Sequence, residues 1–129
     1  MEHHDPDVND LLFMHAALVK QYGGSSGVRD AGALEAAVAR PWGSSSGEEH
    51  FPTPFLKAAA LCESVIKRHP FVDGNKRTGV AAGTYLLSTL GHRLAVQRGH
   101  VEDFAVAVAT GTLTLEQMAS WFRGNSSEI

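Results

Sequence analysis

Cysteine is almost missing, with Cys62 the only one among 129 residues. No intramolecular disulfide can form, so stability has to come from packing, which a chain of this length can supply as one globular domain over 1–129. Surplus positive charge is missing too. The formal net charge is -3, which argues against direct nucleic-acid binding, because neutralising phosphates nonspecifically needs a cationic face. Any phosphate chemistry must then be local. No apolar run is long enough to cross a bilayer. The acidic start MEHHDPDVNDLL lacks the cationic flank and unbroken apolar stretch of a secretory signal. A cytoplasmic location is expected, with residues 1–8 disordered. Hydrophobic residues at 43% and charged residues at 19% fit a folded chain rather than a disordered one.

What the sequence does contain is helical periodicity. Leu11, Met14, His15, Leu18 and Tyr22 follow the i, i+3, i+4, i+7 rule and predict an amphipathic helix over 9–21, stopped by Gly23-Gly24. Asp30 is placed to cap a second helix with Ala33, Leu34, Ala37 and Val38 on its apolar side, ending before Pro41. Residues 41–52, PWGSSSGEEHFP, carry no helical period and read as a loop with at most a small β-hairpin, the best candidate for a mobile flap. Thr53 then caps a third helix with Pro54 in its first position and Phe55, Ala58, Ala59, Cys62 and Ile66 on its buried side. Cys62 is therefore read as an inert buried thiol.

A fourth helix is predicted from about Asn75 to Leu90, closed by Gly91. Its small residues Gly79, Ala81, Ala82 and Gly83 would let neighbours approach closely, which suits a central position. HRLAVQRG is an edge strand or a connector. Val101, Phe104, Ala105 and Val108 define a fifth helix ended by Gly111. Thr114 with Gln117 makes a capping box for a sixth, which carries Leu115, Met118, Ala119 and Phe122. The expected fold class is all-α, a bundle of about six helices.

Between the third and fourth helices lies HPFVDGNKRTG, residues 69–79, which concentrates polar chemistry between two apolar runs. A helix beginning near Asn75 offers unpaired backbone N–H groups and a partial positive charge, and Gly74 permits the positive-φ turn that an anion cradle often needs. Lys76 and Arg77 fall in the first helical turn, where the macrodipole disfavours cations, so an anion there would compensate them. His69, held away from helical geometry by Pro70, is read as a general base for an attacking hydroxyl. Asp73 is a hard-oxygen ligand suited to one Mg²⁺. Phe71 should point into the core and fix the loop, while Asn75 caps the helix or orients a neighbour.

His69-Pro70-Phe71-Val72-Asp73-Gly74-Asn75-Lys76-Arg77 resembles the signature of the Fic/Doc superfamily, H-P-F-x-[DE]-G-N-[GK]-R. The likeness extends through YGGSSGVRDAGALEAAVARP and VAVATGTLTLEQMASWFR to the death-on-curing (Doc) toxin branch. In typical Fic enzymes the position of Lys76 is glycine and that of Val80 a second arginine, both serving AMP transfer; Doc-type toxins carry the lysine and bind the nucleotide in the reversed sense. The resemblance therefore implies a toxin of a toxin-antitoxin module, an ATP-dependent protein Ser/Thr kinase that inhibits translation. It further implies His69 as base, Asp73 supporting Mg²⁺, Lys76 and Arg77 clamping the phosphates of ATP, and Gly74 and Asn75 shaping the anion seat. Elongation factor Tu is the implied protein substrate and a Phd-like antitoxin the implied partner. AMP transfer to a protein hydroxyl and a catalytically silent antitoxin-binding homologue are the alternatives. Some Fic chains carry an inhibitory helix with S/T-x-x-x-E-G/N; the nearest stretch here, Thr112 to Gln117, is better explained by the capping box, so no self-inhibition is expected.

Other polar features carry plainer readings. His3, His4, Asp5 and Asp7 form a cluster that is more simply a solvated terminus than a metal site. His15 is read as a core histidine, Arg29-Asp30 as a local helix-start pair, Trp42 as an anchor or a lid, and Trp121 as packing for the last helix. His92 and His100 have no partner that the sequence can name.

Overall fold

The structure is a computed structural model and describes residues 4–129. Its helices are α1 (Val8–Tyr22), α2 (Ala31–Ala39), α3 (Pro54–Arg68), α4 (Asn75–Thr89), α5 (Arg98–Thr110) and α6 (Leu115–Gly124). Two small antiparallel pairs accompany them: β1 (Ser44–Ser45) with β2 (Glu48–Glu49), and β3 (His92–Leu94) with β4 (Ser126–Glu128). The fold is thus predominantly helical with a small hairpin flap, as the periods predict. None of the described helices is long and apolar enough to cross a membrane.

The caps explain where the helices begin. Asp30, Thr53 and Thr114 each accept from the backbone N–H three residues on, and Gln117 returns the bond to Thr114. Asp7 does the same for α1 in a reciprocal pair with Asp10. Each such cap contributes about 1 kcal/mol. Of the residues expected to be disordered, 1–3 lie outside the described ones, whereas Pro6 is buried and Asp7 forms this cap.

α3 is the central element, buried from Lys57 to Cys62 and again from Ser64 to Ile66. One side, with Ala58, Cys62 and Ile66, packs on Val80, Leu87, Phe104 and Phe122. The other, with Leu61 and Val65, packs on Leu11, Leu34, Phe71 and Leu86. Each large apolar side chain removed from water in this way contributes about 1.5–3 kcal/mol. The close approach expected of α4 is met at two glycines. A Cβ at Gly79 would lie 2.6 Å from Ile66 Cγ1, and one at Gly83 would lie 2.9 Å from the Phe122 ring. Trp121 stacks on Phe104 at 3.8 Å between centroids and so packs α6 onto α5.

Two segments are shaped by contacts that lie outside them in sequence. The flap is tied down: Lys57, only 6% exposed, pairs with Glu49 at 2.9 Å, donates to the Phe51 carbonyl, and lies 5.1 Å from the Trp42 ring centroid. The C-terminal stretch forms β4 against β3. Its Ser-Ser-Glu sequence has no apolar period, so only the distant partner strand decides its conformation.

Candidate active site

The loop joining α3 to α4 is shaped by contacts from α1 and the segment after it. His69 ends α3 in the left-handed region, φ 52° and ψ 59°, which is uncommon outside glycine and has to be held in place. Arg29 holds it. Its guanidinium donates to the carbonyls of Arg68 and His69, each at 2.6 Å, which satisfies the last carbonyls of α3 and sets a cation at the negative end of the helix. The backbone reinforces this, since Arg29 and Asp30 donate N–H to the Pro70 carbonyl and Val72 donates to Gly27. Arg29 is thus a clamp on the loop rather than only a helix-start residue.

Phe71, 1% exposed, stacks on His15 with ring centroids 3.9 Å apart. His15 is a core histidine, as its apolar stripe predicts, and its partner belongs to the site: Nε2 donates to the Asp73 carbonyl at 2.7 Å. Asn75 is buried. Its Oδ1 accepts from the Phe71 N–H at 3.0 Å and its Nδ2 donates to the Phe71 carbonyl at 2.9 Å. These two bonds fix the amide and direct its second N–H at His69 Nδ1, 3.3 Å away. The neutral imidazole then accepts at Nδ1 and carries its proton on Nε2. Nε2 becomes a base only in the other tautomer, for which this long contact must give way.

The Asp73 carboxylate is exposed, with one oxygen accepting from the Ser25 N–H at 3.2 Å and the other from the Gly74 N–H at 2.8 Å. These two backbone donors, first Ser25 and then Gly74, with smaller contributions from Lys76 and Arg77, hold its pKa below the ordinary carboxylate value. A side chain at position 24 would collide with it, because a Cβ on Gly24 would lie 2.7 Å from Asp73 Oδ2. Gly74 itself adopts φ 78°, the positive-φ turn expected of it, and no side chain caps α4. The N–H groups of the first turn are therefore open to an anion.

A cavity of about 210 Å³ lies here, lined by residues 73–77 together with Val80 and Glu102 among others. Lys76 and Arg77 are exposed and form no salt bridge among the described residues. Asp73, Gly74, Asn75, Lys76 and Arg77 are thus brought together, as the sequence predicts. His69 does not line this cavity and is tied to it through Asn75. Local sequence pattern had not pointed to Arg29, Ser25 or Tyr22, whose ring centroid lies 4.6 Å from the Arg77 guanidinium carbon. They act from 40 or more positions away in sequence, so only the signature itself was visible.

The terminal cluster is compact, with ligand atoms of His4, Asp7 and Asp10 all within 4.8 Å of one another. Both carboxylates serve the cap of α1, and His4 is bonded to Asp10 at 2.8 Å. His3 lies outside the described residues.

The chain is similar in sequence to known proteins. Residues 5–87 match the Fic/DOC family. Toxin Doc of Mycolicibacterium smegmatis is 41% identical over 105 residues, covering 80% of this chain and 81% of that protein. Protein kinase doc of Escherichia phage P1 is 28% identical over 123 residues, covering 95% and 94%. The chain belongs to the Fic/DOC family.

Proposed function

We propose that the protein is a Doc-like toxin that transfers the γ-phosphoryl group of ATP to a Ser or Thr hydroxyl of a target protein and so inhibits translation. The observation that carries this reading is the pair of cations without salt bridges, Lys76 and Arg77, at the uncapped start of α4 beside an ionised Asp73. Phosphoryl transfer asks mainly for positioning and charge neutralisation, which such a seat supplies. The name of the phage relative, protein kinase doc, supports the same chemistry.

In this mechanism the Gly74 turn and the N–H groups that follow it receive phosphate oxygens, while Lys76 and Arg77 offset their charge. The acceptor hydroxyl oxygen bonds to the γ-phosphorus as the bond from that phosphorus to the bridging oxygen breaks, and ADP leaves. His69 takes the hydroxyl proton once its contact with Asn75 is released. Asp73 fits one Mg²⁺, because its carboxylate is exposed and ionised and each oxygen keeps a lone pair beyond its single N–H bond. When bound, the ion would neutralise phosphate charge. Elongation factor Tu is the target suggested by analogy, and a Phd-like antitoxin the controlling partner.

The test is incubation of the purified protein with cell extract and ATP labelled on either the α- or the γ-phosphate. Label reaching protein from the γ position alone is the expected result. Label from the α position would replace this reading with AMP transfer. No label from either position, with His69→Ala indistinguishable from wild type, would indicate a silent antitoxin-binding module.

A further inference from the structure

Tyr22, the last residue of α1, holds two cations on one ring. The guanidinium carbon of Arg77 lies 4.6 Å from its centroid and that of Arg98 lies 4.8 Å away. The two guanidiniums thus stand no farther apart than the sum of these distances, although they come from different helices. Both line a cavity of about 590 Å³ between α1, α4 and the start of α5. Arg77 also lines the smaller phosphate cavity, and Val80, Val101 and Glu102 border both, so the two spaces meet at this edge.

Arg98 has a single carboxylate partner among the described residues. Its ion pair is with Glu102 at 3.6 Å, one turn along the same helix, with both side chains at least 60% exposed. Pairs of this kind contribute little. Arg98 is the first residue of α5, whose first turn has no acidic residue and no side-chain cap, so the macrodipole opposes a cation there. The aromatic face attracts each guanidinium, but the exposed Glu102 carboxylate, 3.6 Å from Arg98, offsets the repulsion between them only in part. An anion lying between them would offset that repulsion.

We infer that Arg98 is a phosphate-binding residue of the nucleotide site, and that Tyr22 is the positioning residue that holds it beside Arg77. On this inference the polyphosphate chain runs from its γ-phosphate at the Gly74–Asn75 turn, the end tied to His69, past Arg77 toward Arg98, so that its inner phosphates meet guanidiniums from two helices. The inference rests on the nucleotide reading above and adds to it a residue outside the signature.

The test is calorimetric binding of ATP and adenosine to the intact protein and to Arg98→Ala, Arg98→Lys, Tyr22→Phe and Tyr22→Leu, with melting curves for each. Arg98→Ala should weaken ATP about tenfold while shifting adenosine far less, because a charge-assisted contact is lost only where a phosphate reaches it. Arg98→Lys should recover part of the loss. Tyr22→Phe should bind as wild type, and Tyr22→Leu should weaken ATP more than adenosine. A merely structural role would shift both ligands alike, and that result would overturn the inference. Unchanged ATP binding by Arg98→Ala, with wild type binding ATP, overturns it alone. Failure of wild type to bind ATP overturns the nucleotide reading and this inference with it.

Discussion

The flap and the signature loop are both polar segments next to α3, and they treat their cations in opposite ways. Around the flap, Lys57 of α3 is buried and engaged by Glu49, the Phe51 carbonyl and the Trp42 ring, while Arg40, just before the flap, lies 5.3 Å from the Phe51 ring centroid and pairs with Glu63 at 2.8 Å. In the signature loop, Lys76 and Arg77 are exposed and without salt bridges among the described residues, yet the backbone beneath them is pinned by Arg29, His15 and Asn75. The difference separates two uses of charge. A cation that is satisfied internally holds structure together, whereas a cation on a rigid mount and without a salt bridge is available to a ligand.

Four substitutions would break or sharpen this contrast. His69→Ala should lower the rate of γ-label transfer by about 10²- to 10⁴-fold while melting close to wild type, since the side chain is exposed; transfer at the wild-type rate would remove His69 as the base. Arg29→Ala should lower transfer by roughly ten- to a hundredfold through a displaced His69. The same variant should lose about 1–3 kcal/mol of stability, because two carbonyls lose their charged donor, which paired activity and denaturant measurements would show. Lys57→Met should lose a comparable 1–3 kcal/mol of stability yet keep its transfer rate per folded molecule; a large rate loss without unfolding would mean that the flap takes part in the chemistry.

The smallest effect is on acid stability. The folded Asp73 carboxyl has its pKa lowered below the ordinary value of 3.8, so its contribution is present at neutral pH and is lost only as pH falls below about 4, through the folded pKa. Melting temperatures of wild type and Asp73→Asn should therefore differ by a constant amount down to that pH and converge below it. Convergence beginning well above it would show that the Ser25 and Gly74 bonds do not hold the carboxylate ionised.

Much of the fold was legible because its signals are local. The apolar periods, the caps at Asp30, Thr53 and Thr114, and the small residues of α4 each act within a few positions. Asp7 escaped notice because its partner at the third helical position is Asp10 rather than the Glu or Gln of the usual capping box. The signature could be read because it is contiguous. Its supports could not: His15 reaches Asp73 across 58 positions, and Arg29 reaches His69 across 40. In sequence, Arg29 beside Asp30 looks like an ordinary helix start. The contacts of the flap were hidden in the same way, because Lys57, which pairs with Glu49 and donates to Phe51, sits in the next helix.

The most direct test of the central claim is the rate of γ-label transfer from ATP to protein by Lys76→Gly. This variant removes one exposed cation and none of the contacts that build the loop. It should melt near wild type and lose γ transfer. Transfer at the wild-type rate would contradict the account, because the cation at the start of α4 would then have no part in holding the phosphates.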